Sequence, residues 1–344
     1  MNNESQILFK QALNTEDDLI TMQKVGITTT VPVEVIYAAN MTPVDLNNIF
    51  IKDDNPQKLI EDAEIRGYPR NICAWIKGIY SVILQNKDID ILIAVIQGDC
   101  SNTHALMETL ELEGIRIIPF AYPFDRDYDL LKLQLGKLIE SLGTSWEMAN
   151  KTKKRLDKVR KLVWKLDEFT WRENYISGWH NHIYQVSCSD FQGDPETFEQ
   201  SVEAFLNSKK QKHNCVLRLG YIGVPPIFTD LYQYLEINSA VVVYNEVQRQ
   251  FTMPFDTSDV VEQYRMYTYP YGIFYRLKDI KEQIKLRKLD GIIHYAQSFC
   301  YRQIEDLIIR REIELPIITL EGDKPGKLDA RTKMRLDAFL EMLR

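Results

Sequence analysis

Cysteine is the residue type here best able to carry unusual chemistry, and five are present: Cys73, Cys100, Cys188, Cys215 and Cys300. An odd number scattered along a long chain does not read as a disulfide framework. The ordinary expectation for most of them is a small, buried, apolar side chain. Three stand in contexts that set them apart. Cys100 follows the apolar run DILIAVIQ and the turn GD, just before a helical stretch. Cys300 follows DGIIHYAQSF and also meets a helix start. Cys73 falls in the first turn of a helix, after Pro69, Arg70 and Asn71. A helix N-terminus favours anionic groups and lowers a thiol pKa. Iron–sulfur clusters are themselves anionic and are held by thiolates. Three such thiols could hold a cubane by three corners and leave one iron open. The intervals of 27 and 200 residues contain no CxxC signature, so spacing alone leaves three unrelated core cysteines as the standing alternative.

The elements that must position these thiols recur as short β-rich runs leading through a turn into an amphipathic stretch. Val25–Val31 reads as a strand, followed by Pro32 and a helix over VEVIYAAN. NICAWIKGIYSVILQN has helical spacing, DILIAVIQ is a continuous apolar strand, and SNTHALMETLELEG is a helix closed by Gly114. IRIIPFAYP is the next strand. From 128 to 205 the chain turns charged and helical. There KTKKRLDKVRKLVWK carries eight basic residues and one acid, which reads first as a solvated helix face. Strands return with NCVLRLGYIG, after which Pro225–Pro226 are expected to open a helix. AVVVYN, DGIIHYAQ and LPIITL are further strands, with helices over CYRQIEDLIIRRE and ARTKMRLDAFLEML. Alternating strands and helices predict α/β architecture with parallel sheets. The expectation is an N-terminal helical extension (1–24), a first α/β domain (25–127), a helical connector (128–205) and a second α/β domain (206–344). Both α/β domains are expected to be doubly wound, Rossmann- or flavodoxin-like. In such sheets ligands bind beyond the carboxyl ends of the strands, so Cys100 and Cys300 would lie where two facing domains make a cleft.

Composition narrows the function class. A chain of 344 residues with 45% apolar residues can build proper cores. A net charge of −7 gives no support to nucleic-acid binding. The polar, acidic opening MNNESQILFKQALNTEDD predicts neither a secretory signal nor an anchor, and no stretch approaches the roughly 20 apolar residues of a spanning helix. A soluble, cytoplasmic protein is expected. The glycines of GYIGVPP match no phosphate-binding fingerprint, so ATP hydrolysis is not expected of this chain. His180 and His182 lack companions at metal-ligand spacing. His104 and His294, near Cys100 and Cys300, are better placed to hydrogen-bond cluster sulfides, with packing as the plainer role. Cys188 and Cys215 read as structural.

Several segments in order resemble the 2-hydroxyacyl-CoA dehydratase and benzoyl-CoA reductase family, in particular its D-component-like iron–sulfur subunits. GITTTVPVEVIYAANMTPVDL looks like the family's opening strand–proline–helix, and RGYPRNICAWIKGIYS and IAVIQGDCSNTHALMETL are similar to its first and second cysteine segments. LRLGYIGVPPIFTDLYQYLEINSAVVVYNE resembles the opening of its second domain. LDGIIHYAQSFCYRQIEDLIIRREIELPIITLEGD resembles the third cysteine segment. The resemblance runs from Gly26 through nearly the whole chain. Members commonly carry an aspartate after the second cysteine, where this chain has Ser101.

The resemblance implies that Cys73, Cys100 and Cys300 ligate one [4Fe–4S] cluster with its fourth iron open to water or substrate. Thr29 lies where members often carry a small hydroxyl residue near the cluster, and Glu34 is a candidate acid–base carboxylate. Helix initiation is the plainer role for both. A separate ATP-hydrolysing iron–sulfur activator is implied as the electron source, and in the dehydratases the substrate is a 2-hydroxyacyl thioester, an acyl-CoA. A family variant is a homodimeric reductase of small molecules that carries a bridged [8Fe–9S] double cubane. A homodimer, or a heterodimer with a paralogous subunit, is expected on the same ground. The rival from another class is a non-catalytic electron carrier or partner subunit.

Overall fold

The computed structural model describes residues 22–208 and 212–344. The extension expected at 1–24 therefore lies, through residue 21, outside the described residues. Two sheets organise the rest, each of four strands and each wholly parallel. The first is built from β1 (Lys24–Ile27), β2 (Thr42–Asp45), β3 (Ile89–Gln97) and β4 (Arg116–Ala121), in the order β2-β1-β3-β4. The second uses β5 (Leu217–Ile222), β6 (Ala240–Asn245), β7 (Gly291–Gln297) and β8 (Ile317–Gly322), in the order β6-β5-β7-β8. This is the doubly wound α/β architecture expected. β6 and β7 are buried along their whole length, which is why they read as mostly apolar runs without polar alternation.

The two orders share a consequence. In each sheet the chain runs outward one way from its first strand and the other way from its third. The crevice beside that reversal is where open α/β sheets bind ligands. The loops that flank it follow β1 and β3 in one sheet and β5 and β7 in the other.

Between the sheets run the helices Tyr128–Ser141, Trp146–Trp171, Gly178–Val186 and Pro195–Asn207. The basic stretch lies on the second of these, and it is not merely a solvated face. Arg160 and Lys153 are buried, Arg160 against Glu34 and Lys153 against Asp157 and the carbonyl of Thr257. Arg160 thereby ties its helix to the helix Val33–Ala38, which packs against it. Another local expectation fails at Pro225–Pro226. No helix opens there, and the next one is Leu231–Ile237. Two consecutive prolines supply no N–H, and the second holds the first out of the helical region. Among the described residues no helix is long and apolar enough to cross a membrane.

Candidate functional site

Each of the three cysteines is placed by a strand end or a helix start. Beyond β3 the chain turns at Gly98, whose φ of +103° is natural only to glycine. A Cβ there would also lie 2.8 Å from the Cβ of Pro270 and 2.9 Å from its carbonyl oxygen. That turn delivers Asp99 and Cys100, ahead of the helix Thr103–Leu112. Beyond β7, Phe299 takes a left-handed φ of +64°, and Cys300 caps the short 3₁₀ turn Tyr301–Glu305. Cys73 is the N-cap of the helix Ala74–Gln85. All three thiols line one cavity of about 510 Å³.

The cavity gathers the loops that flank both crevices. Thr28, Thr29 and Thr30 come from the loop after β1, Val224–Pro226 from that after β5, and Gln297 from the end of β7. The threonines divide the labour. Thr28 Oγ1 accepts the N–H of Val95 at 3.1 Å, and the Thr30 carbonyl accepts the Tyr122 hydroxyl at 2.9 Å. Thr29 stands between them, half-exposed into the cavity. Trp75, Ile79, Trp179, Phe228 and Phe251 give the cavity apolar lining.

Burial dominates the thiols. It pushes Cys73 up to about 12, although the N–H groups of Trp75 and Ile76 favour its thiolate. It also pushes Cys100 up to about 12, with the neighbouring Asp99 adding to the rise. Cys300 is raised as well, against the pull of the Arg302 N–H and guanidinium. The expected lowering at a helix N-terminus is thus outweighed by desolvation. Each of the three sulfurs nevertheless has at least one backbone N–H favouring its anion, and the charge of Cys300 bears on both Cys73 and Cys100. Cys188 is buried with its S–H on the Tyr184 carbonyl, and Cys215 donates to Leu217; neither lines the cavity. No three His, Cys, Asp or Glu among the described residues are grouped to hold a single metal ion.

Glu34 lies elsewhere than its sequence neighbour Thr29. It is wholly buried, with Arg160 at 2.7 Å, Gln263 donating at 2.6 Å and the Tyr264 hydroxyl donating at 2.8 Å. Burial raises its pKa, but the Arg160 guanidinium, a backbone N–H and the Tyr264 hydroxyl outweigh that and hold it below the ordinary value. It does not line the cavity. His104 and His294 do not line it either: His104 bonds the Ile96 carbonyl and His294 the carboxylate of Asp306. His182, whose role the sequence left blank, does line it. It is stacked on Trp179, and burial drops its pKa to about 3, so the ring is neutral. Asp99, Gln297 and Arg302 sit within three residues of a site cysteine, and chain proximity was the signal that could have found them.

One lining residue, Asp45, is paired with a second buried acid. The N–H of Asp45, at the carboxyl end of β2, donates to Asp190 Oδ2 at 2.9 Å. Burial first, then the charge of Asp45, push Asp190 up to about 7. Between the ordinary aspartate value of 3.8 and about 7, the folded protein holds a proton that the unfolded chain has released. Stability from this group therefore falls as pH rises through that window. Asp190→Asn should lack this slope, so its deficit against wild type should shrink by a few kcal/mol between pH 5 and pH 8 in denaturant unfolding. A gap that does not change with pH would contradict the assignment.

The family model described as 2-hydroxyglutaryl-CoA dehydratase, D-component, matches residues 28–343. No curated protein matches the chain.

Proposed function

The chain belongs to the 2-hydroxyglutaryl-CoA dehydratase D-component family, and from that premise we propose that Cys73, Cys100 and Cys300 together hold a [4Fe–4S] cluster in the cavity between the two sheets. The observation that carries the reading is the convergence of these three thiols, from three separate segments, on one cavity at the crevices of both sheets. The donor set supports it. The three thiols share one cavity, and thiolates are the ligands that hold iron–sulfur clusters. Backbone N–H groups at each sulfur suit an anionic thiolate–sulfide assembly.

When bound, the cluster would supply a one-electron donor and an iron open to a ligand. The chain's own residues do the rest. The Thr29 hydroxyl, half-exposed into the cavity, would bond an oxygen of water or substrate bound there. The apolar wall of Trp75, Trp179 and Phe251 excludes water from whatever binds there. Glu34 is a positioning residue: Tyr264 bonds both its carboxylate and the Val31 carbonyl, and so pins the loop that presents Thr29. Low-potential electrons come from a separate ATP-hydrolysing activator, and the substrate is a 2-hydroxyacyl thioester or a related small molecule. A second subunit, either another copy or a paralogue, completes the enzyme; two copies meeting at the cluster would give the double-cubane variant.

Anaerobic purification with iron and sulfide analysis and electron paramagnetic resonance after reduction tests this. About four irons per chain and a reducible cluster signal are expected. Reconstituted protein that holds no iron would reduce the cysteines to core residues.

A further inference from the structure

Gln297 ends β7, is buried and lines the cavity. Its Oε1 accepts two hydrogen bonds, from Trp75 Nε1–H at 3.1 Å and from the Tyr295 hydroxyl at 2.7 Å. Indole nitrogen can only donate, so the amide cannot be turned the other way round. Its Nε2, with two hydrogens, is left buried and without a partner. A buried donor in that state is costly, and in a residue that lines a cavity it points to an acceptor brought by the occupant. The surroundings say which end of the cavity is meant. Trp75 stands two residues after Cys73, and the Gln297 carbonyl accepts the N–H of Cys300 at 3.1 Å. The Tyr295 hydroxyl that shares Oε1 lies in the field of both Cys73 and Cys300.

We infer that Gln297 Nε2 donates a hydrogen bond to a sulfur of the cluster held by Cys73, Cys100 and Cys300, an inference that rests on the cluster reading above. A donor to sulfur stabilises the more negative, reduced state and so raises the potential. Gln297 thereby takes the role that sequence proximity had offered to His104 and His294, both of which are bonded elsewhere. The amide is held by two partners from different elements, so the donor is fixed before the cluster arrives.

The test uses the anaerobic holoprotein. Q297E keeps an oxygen for Trp75 and Tyr295 but replaces the donor with an acceptor; Q297M keeps the length and offers neither. Both variants should hold wild-type iron with a more negative midpoint potential, Q297E the more so. If both keep full iron and the wild-type midpoint, the inference is overturned while the cluster reading stands. Wild-type protein without iron would instead sink the cluster reading. Should either variant misfold, wild-type protein with nitrogen-15 in its glutamine side chains decides the matter. Electron–nuclear double resonance of the reduced cluster should show a nitrogen-15 coupling, and its absence overturns the inference.

Discussion

Cys73→Ala, Cys100→Ala and Cys300→Ala should each cut cluster iron from about four per chain to roughly one or fewer, while Cys188→Ala leaves it unchanged. The contrast follows from where the sulfurs point. The first three line one cavity, and the fourth is buried against the Tyr184 carbonyl away from it. Removing one ligand leaves two thiolates to hold a group that already requires several buried thiols to lose their protons. Those thiols lie well above neutrality in the metal-free protein, Cys73 and Cys100 at about 12, so each bond must be strong enough to displace a proton. Cys73→Ala should be the most severe. It also removes the sulfur whose anion the N–H groups of Trp75 and Ile76 favour. The stability change in the metal-free variants should stay below about 2 kcal/mol, the scale of losing one small buried side chain. That separates ligand loss from unfolding. Equal iron loss in Cys188→Ala would show that retention follows general stability and not ligation.

Much of this site was legible because the thiols follow strands whose apolar runs are unmistakable. IDILIAVIQ and GIIHYAQ are buried on both faces, so their ends, and the cysteines just beyond, could be located from sequence. β2 was not legible. TPVD is short and carries Pro43, which argues against a strand except at a sheet edge, where β2 lies. Its omission hid Asp45 and the Asp45–Asp190 pair, which joins residues 145 apart. Trp179 and His182 reach the cavity from the connecting helices, and nothing local announces them. Glu34 failed in the opposite way. Its neighbourhood to Thr29 in the chain suggested a shared site, but at the start of the helix Val33–Ala38 the side chain is buried against Arg160 instead. Periodicity finds elements and their ends; it does not say which distant charge a buried side chain meets.

Arg160→Met should be among the most destabilising substitutions of a single side chain, because it leaves the Glu34 carboxylate wholly buried without its cation. Breaking a buried pair from one side costs about 3–5 kcal/mol, which in a chain of this size lowers the melting temperature by on the order of 10 °C. Glu34→Gln should cost less. Arg160 keeps Asp157 at 3.3 Å, and a glutamine can still accept the Tyr264 hydroxyl. Combining Glu34→Gln with Arg160→Met should recover part of the loss, since no charge is then left buried alone. The pH dependence gives a second handle. The folded pKa of Glu34 lies below its ordinary value of 4.5, so its stabilisation is present above that value and disappears as pH falls through the folded pKa. Glu34→Gln should therefore approach wild-type stability in acid and fall behind it at neutral pH. The same variant separates positioning from proton transfer. If Glu34 acts by holding the Val31–Thr29 loop, Glu34→Gln keeps its cluster and much of its turnover, and lost turnover tracks lost thermal stability. Full stability and full iron with turnover abolished would show that the carboxylate itself handles a proton, and would require the loop to open toward it during the reaction.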